Sequence, residues 1–451
     1  MEAKLLVTGD IHIGRRSSGA PSESSIKLPP AKNIWFSIVN YAIENKFDFL
    51  ILTGDIIDRE NRYYEAVGPL TKGLLDLASK NIKIVMTSGN HDFDVLKEII
   101  KDNKFENIYL LGSEGGWEYR TIETGSKKSL FFAGWSFHNE SEKEDPLLSL
   151  KNGDQLKKEY KIAESTPLVG IIHGDIYNKK SIYAPLDKNI MLSSNFDAWL
   201  MGHIHKADII NKSFPLILYP GSPQALDAGE TGTHGAYSVT ITNNLCNYKM
   251  VPLSPVRYEK MEVDISNTTG REEFRNKVTE EIYNSVEELY NTNNGATEHL
   301  NHIVFDLLLK GEHSDIENVE NWCEKFLADD TSFTAPYKRG NSDNFAENVI
   351  VRKIKNEASQ KIPNIEKLAE QKSVVGIAAK ALIDLEKGVE NSIVEKIKKN
   401  WYAKYDEMIR RNKVYAYLNK DKDNEERERL AKEYILKELK KTLSHFYKQK
   451  Q

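Results

Sequence analysis

Cysteine is nearly absent from this 451-residue chain: only Cys246 and Cys323 occur, far apart in sequence. That scarcity argues against a disulfide framework and makes a reducing cytoplasm the expected compartment. Long apolar runs are missing too, so no segment reads as a bilayer span and no membrane partner is expected. The first residues, Met1-Glu2-Ala3-Lys4-Leu5, lead directly into an apolar run with no signal-peptide pattern. Nor does one sign of charge dominate: 62 Lys and Arg face 67 Asp and Glu, for a net charge of −5. Net charge therefore does not announce a nucleic-acid binder, although local patches and bound cations escape such a count. What is present, 40% hydrophobic and 29% charged residues over this length, describes a globular protein of more than one domain.

Five short blocks carry the chemistry. Asp10-Ile11-His12, Gly54-Asp55, Gly89-Asn90-His91-Asp92, His173-Gly174-Asp175 and Gly202-His203-Ile204-His205 each follow an apolar run. Those runs, Leu5-Leu6-Val7, Phe47 to Leu52, Ile82 to Met86, Leu168 to Ile172 and Ala198 to Met201, read as strands of a sandwiched sheet. Each block thus sits where a strand ends, at the rim where α/β sheets bind ligands. Imidazoles, carboxylates and an amide oxygen suit a hard or borderline divalent ion, and the blocks offer no thiolate. Singly, Asp-x-His or Gly-Asn-His-Asp is more often a plain turn. Five in this order spell a two-metal phosphoesterase. His138, His234, His299, His302, His313 and His445 lie outside the blocks and read as ordinary surface or core histidines.

The pattern resembles the calcineurin-like metallophosphoesterase superfamily and, more narrowly, the SbcD-type nucleases of double-strand-break repair, from the start of the chain to about residue 250. The resemblance implies an α/β fold: a β-sandwich flanked by helices, followed by a small α/β capping domain and a helical C-terminal region. It implies two divalent ions, most consistent with Mn2+, one held by Asp10, His12, Asp55 and His205 and the other by Asp55, Asn90, His173 and His203. Asp55 would bridge. Two such ions lower the pKa of a bridging water and stabilise charge on both the attacking and departing oxygens. His91 is left without a metal; in the family it faces the scissile phosphate and assists the leaving oxygen. Asp92 is grouped with it, orienting either this imidazole or a metal-ligand imidazole. Asp58 stands where archaeal and eukaryotic repair nucleases carry histidine and bacterial SbcD-type proteins commonly carry aspartate. It reads equally as an acceptor that fixes a ligand histidine and as the cap of a helix starting near Tyr63.

Two segments are candidates for DNA contact. Arg15-Arg16 open a Ser/Pro/Gly-rich loop running to Pro29-Pro30, either a basic lip along a DNA backbone or a solvated loop. Tyr219 to Gln224 and Gly229-Glu230-Thr231-Gly232 resemble the last active-site loop of the nucleases, where Ser222 sits in a turn that offers N–H groups to a phosphate or merely joins two strands. Gly235 to Thr242 alternates like a closing strand.

After Pro252-Leu253-Ser254-Pro255 the chain changes character, giving expected domains 1–255, 256–360 and 361–451. Strands are expected over Arg257 to Val263, His302 to Leu309 and Val349 to Arg352, with helices over Arg271 to Tyr290 and Glu317 to Leu327. This looks like the capping domain of SbcD-type nucleases, and a generic dimerisation or substrate domain would share the pattern. Helices are expected over Ile365 to Leu385, ending at Gly388, then Ile393 to Tyr417 and Glu425 to Tyr447, the last with apolar residues at steps of three and four. In the family such helices dock on an SMC-like ATPase of the SbcC type; packing on the chain's own cap, or pairing into a homodimer, would serve the same apolar stripes. The expected function is a metal-dependent DNA nuclease, exonuclease or endonuclease, in an SbcCD-like complex. The alternatives are a phosphomonoesterase, a cyclic-nucleotide phosphodiesterase, or a DNA-end-binding subunit with weak catalysis.

Overall fold

A computed structural model describes residues 2–17, 28–60, 65–103, 106–125, 127–242, 245–292, 299–329, 332–339, 342–362, 364–411 and 424–448. Most of the loop between Arg16 and Pro29, the helix start expected near Tyr63 and the end of the helix expected to reach Tyr417 lie outside those residues.

Twelve strands make two six-stranded sheets. In chain order they are β1 (Glu2–Thr8), β2 (Phe49–Leu52), β3 (Lys83–Met86), β4 (Ile108–Leu110), β5 (Glu118–Glu123), β6 (Ser129–Trp135), β7 (Leu168–His173), β8 (Ala198–Gly202), β9 (Asp208–Asn211), β10 (Leu216–Tyr219), β11 (Gly235–Thr242) and β12 (Leu245–Pro252). The first sheet runs β12-β11-β1-β2-β3-β4 and the second β5-β6-β7-β8-β10-β9. β1 to β4 are parallel in register, as are β6, β7, β8 and β10. All five apolar runs expected as strands are strands.

The alternation of side chains explains the layering. Leu5, Val7, Phe49, Ile51 and Val85 of the first sheet meet Phe132, Val169, Ile171, Leu200 and Leu218 of the second in one buried cluster. The residues between them face outward. Leu6, Leu50, Leu52, Ile84 and Met86 are covered by helices α1 (Ala31–Glu44), α2 (Val67–Ser79) and α3 (Val95–Asn103). α1 does so through Ile34, Trp35, Ile38, Val39 and Ala42, all fully buried at steps of three and four. On the far side Phe131, Trp135, Ile172, Trp199 and Met201 pack under Leu156 of α4 (Gly153–Glu159) and Met191 of α5 (Lys188–Leu192). Both faces of the central strands β2, β3, β7 and β8 are therefore dry. This is why the strands read as continuous apolar runs.

Beyond β12 lie β13 (Val256–Asp264), α6 (Arg271–Thr292), β14 (His302–Lys310), β15 (Glu312–His313), α7 (Ile316–Asp329), β16 (Ser332–Arg339), β17 (Ser342–Asn356) and β18 (Ser359–Gln360). Four of these strands form a sheet in the order β13-β14-β17-β16. β16 was not expected, and β17 runs well beyond Val349 to Arg352 because the two pair as an antiparallel hairpin. The tail holds α8 (Ile365–Ala369), α9 (Val374–Glu386), α10 (Ser392–Arg411) and α11 (Asn424–Lys448). The single helix expected over Ile365 to Leu385 is broken. Ser373 caps a new start by accepting from the Gly376 N–H at 3.2 Å, and a Cβ at Gly376 would fall 2.0 Å from the Gln371 carbonyl, so glycine lets the turn close. Gly388 ends α9 with φ +67°, as expected. Ala378, Ala379, Leu382, Val394, Ile435, Leu439 and Leu443 form one cluster, so the tail helices bury apolar stripes on each other.

The chain divides into two compact units, Met1–Lys260 with Tyr283–Asp306 and Thr331–Arg352, and Met261–Ile282 with Leu307–Asp330 and Lys353–Gln451. Among the described residues no helix is long and apolar enough to cross a membrane.

Candidate metal centre

All five blocks converge at the carboxyl ends of β1, β2, β3, β7 and β8. Backbone hydrogen bonds hold them together: Asp10 N–H donates to Gly54 O at 2.9 Å, His12 N–H to Asp55 O at 3.0 Å and Gly174 N–H to Gly202 O at 3.1 Å. Four candidate ligands sit in the left-handed region, Asp10, His12 and Asp55 at φ +50° and His203 at +101°. Such conformations cost about 1–3 kcal/mol each in non-glycine residues and persist only where surrounding contacts enforce them. Here they turn side chains inward from the strand ends.

The side chains meet in overlapping sets, Asp10 with His12 and His205, Asp10 with Asp55 and His173, and His12 with Asp58 and His91. Asp55 Oδ2 lies 3.4 Å from His173 Nε2 and 4.0 Å from His12 Nε2, between the two halves. His205 Nε2 is 3.3 Å from His12 Nε2 and 4.0 Å from Asp10 Oδ1. His203 stacks edge-on against His173, with centroids 5.3 Å apart, and its N–H donates to both Asp10 oxygens at 3.1 and 3.0 Å.

Each of three imidazoles turns one nitrogen to an oxygen behind it. His173 Nδ1 donates to Thr53 O at 3.0 Å, His205 Nδ1 to Glu230 Oε1 at 2.6 Å, and His12 Nδ1 lies 3.3 Å from Asp58 Oδ1. Donation from Nδ1 of His173 and His205 turns their Nε2 atoms to the centre, where a cation binds once any proton on Nε2 has left. Buried Asn90 Oδ1 has no hydrogen-bond partner. Two facing imidazole nitrogens and an orphaned buried amide oxygen are relieved by a shared cation, so the donor set fits divalent ions. Space is tight for the same reason: a Cβ on Gly89 would fall 2.1 Å from Asp55 Oδ1, and one on Gly54, at φ +96°, would fall 2.6 Å from His173 Nδ1.

The electrostatics follow from this crowding. Burial alone would raise the Asp55 carboxyl, but His173, His12 and His91 outweigh it and hold the group far below the carboxylate range. Burial would likewise lower His173; the Asp55 and Asp10 charges and the Thr53 carbonyl instead hold it up at about 9. His203 is lowered to about 4 by burial and then by His173. His91 is lowered, first by burial and then by His12, against Asp55 and Asp58.

His91 is brought to the cluster without joining the inner set. Its ring stands edge-on to His12 at 4.8 Å, its N–H donates to Asp55 Oδ1 at 2.9 Å, and about a third of the side chain is open to solvent. Asp58 faces both imidazoles, with Oδ1 3.3 Å from His12 Nδ1 and 3.9 Å from His91 Nδ1. That placement fits the acceptor reading, and the helix start that the cap reading needs lies outside the described residues.

Two expected roles are corrected. Asp92 touches no imidazole: its Oδ2 accepts from Ile56 N–H at 2.6 Å and Ile57 N–H at 3.3 Å, and its Oδ1 from Gly89 N–H at 2.8 Å. It ties the second block to the third through backbone, fully buried, with burial and then Asp55 pushing its carboxyl up to about 8. Ser222 does not offer itself to a phosphate. It is 1% exposed, its N–H donates to His205 O at 2.8 Å and its hydroxyl to Glu230 Oε2 at 3.1 Å. Arg16 is exposed, and Arg15 N–H closes a turn on His12 O at 2.9 Å. Sequence reasoning missed Glu230 as the partner of His205, and His234, whose Nδ1 lies 2.8 Å from Ser222 O. The only written signal was the carboxylate between Gly229 and Gly232.

Residues 3–207 match the calcineurin-like phosphoesterase family. That segment carries a calcineurin-like phosphoesterase domain. The chain is 27% identical over 232 residues to the uncharacterized metallophosphoesterase YhaO of Bacillus subtilis, covering 51% of this chain and 54% of that one. It is 22% identical over 254 residues to the DNA double-strand break repair protein Mre11 of Methanocaldococcus jannaschii, covering 52% of this chain and 63% of that protein. The match thus spans less than two thirds of either relative. Among solved structures, a dimetal phosphatase from Danio rerio aligns with TM-score 0.36 at 11% identity, over 55% of this chain and 98% of its own.

Proposed function

We propose that this calcineurin-like chain is a manganese-dependent DNA nuclease acting on DNA ends, the catalytic subunit of an SbcCD-like repair or defence complex. The observation that carries hydrolysis is the convergence of Asp10, His12, Asp55, His173 and His205 into overlapping ligand groups, with His91 part-exposed beside them and facing Asp58. Asp10, His12, Asp55 and His205 would hold one ion, and Asp55, Asn90, His173 and His203 the other. Bound there, the ions supply Lewis-acid charge to the phosphate and make water acidic enough to ionise near neutral pH. Mixed imidazole and carboxylate ligation suits manganese better than magnesium, which prefers all-oxygen sites. His91, held below the ordinary histidine range, is a stronger acid when protonated, which suits a proton gift to a sugar alkoxide. Its neighbour Asp58 lies 3.9 Å from Nδ1, near enough to favour the protonated ring.

Support for DNA as substrate comes from the likeness to the archaeal repair protein and from the large region beyond residue 255. Docking on an SMC-like ATPase is supported by apolar side chains left exposed on the tail, Val374, Ile377, Val389 and Ile393. Purified chain with manganese is expected to degrade linear duplex DNA and bis(p-nitrophenyl) phosphate. Rapid turnover of p-nitrophenyl phosphate with DNA left intact would establish a phosphomonoesterase instead; end binding without cleavage would establish the DNA-end-binding reading.

A further inference from the structure

We propose that Glu230 is a positioning residue that fixes the tautomer of His205 and links one metal site to strand β13. The inference rests on the reading of His205 as a metal ligand. Glu230 Oε1 accepts a hydrogen bond from His205 Nδ1–H at 2.6 Å, which in the neutral ring leaves the Nε2 lone pair facing His12 and Asp10. A neutral imidazole with its proton on the other nitrogen could not ligate from that position.

Glu230 is itself held at both carboxylate and backbone. Oε2 accepts from Ser222 Oγ at 3.1 Å and from Leu226 N–H at 2.8 Å, and His234 Nε2 lies 3.2 Å from the Glu230 carbonyl. Ser222 N–H in turn donates to His205 O, so residue and partner are clamped at backbone and side chain together. The next residues join β13. Thr231 bridges Tyr258, Gly232 N–H donates to Tyr258 O at 3.0 Å, and Arg257 Nη1 donates to Thr233 Oγ1 at 2.8 Å. Tyr258 is fully buried with Ala225, Val304 and Ile350. A shift of β13 therefore reaches His205 through two hydrogen-bonded residues, and metal affinity at one site reports on the sheet that follows the sandwich.

The test titrates manganese into full-length chain stripped with chelator, by calorimetry, with histidine 15N spectra of the stripped protein. Glu230→Gln is expected to weaken one site about 10–100-fold while leaving the other within about twofold, and to move the His205 proton off Nδ1. Ser222→Ala, which keeps the carboxylate but removes one restraint, should weaken the same site less; it carries the test if Glu230→Gln does not fold. Arg257→Ala should weaken that site too, and unchanged affinity there would overturn the link to β13. Unchanged affinities in Glu230→Gln, or equal loss at both sites, would overturn the positioning role. If His205→Ala also keeps both sites, the ligand assignment of His205 fails instead.

Discussion

His12, His173 and His205 each spend one nitrogen on an oxygen behind the ring and turn the other inward; His91 has no such duty. Replacing His91 by Asn should therefore keep the metal content and lower turnover by about 10²–10⁴-fold, as expected for loss of a general acid. Metal analysis beside steady-state rates checks this, and metal loss would make His91 a ligand. The pH behaviour of the stripped protein follows from His173. Its value is raised from 6.5 to about 9, so its contribution to stability is full below about 6.5 and is lost as pH rises through about 9. At neutral pH that ring carries a proton which a metal must displace. Metal loading at pH 7 should release protons, measurable as buffer-dependent heat in calorimetry, and affinity should fall as pH falls; a pH-independent affinity would contradict the assignment. The ligands themselves were legible because each follows an apolar strand. Asp92, Ser222 and Glu230 were not, since their partners are backbone amides or a side chain on distant blocks, which linear spacing does not reveal.

At the scale of elements, the strands carrying the site were legible because they lie inside the sheets with both faces covered, leaving unbroken apolar runs. Less was legible beyond β12. β16 escaped because its partner β17 lies next to it as a hairpin with mixed polar sequence, and the break between α8 and α9 turns on one cap and one close approach at Gly376. The turn after β3 illustrates how closely elements determine the site. Gly89→Ala places a Cβ 2.1 Å from Asp55 Oδ1, so either the turn or the bridging carboxylate must move. The variant should fold, by circular dichroism, and bind metal at least about tenfold more weakly, since ligands must be held to within about 0.5 Å. Wild-type affinity would show that the turn relaxes freely.

At the scale of the molecule, every candidate ligand lies between residues 10 and 205, whereas α8 to α11 bury their stripes on one another. Truncation before Asn364 should leave manganese-dependent cleavage of short DNA intact while abolishing co-purification with an SMC-like ATPase; aggregation or loss of cleavage would place the helices in the core instead. The central claim is the two-metal centre with Asp55 between its halves. The most direct measurement is the manganese-to-chain ratio after reconstitution and gel filtration, compared between wild type and Asp55→Ala. Two ions are expected in the wild type and nearly none in Asp55→Ala. One ion in the wild type, or two retained without Asp55, would contradict the claim.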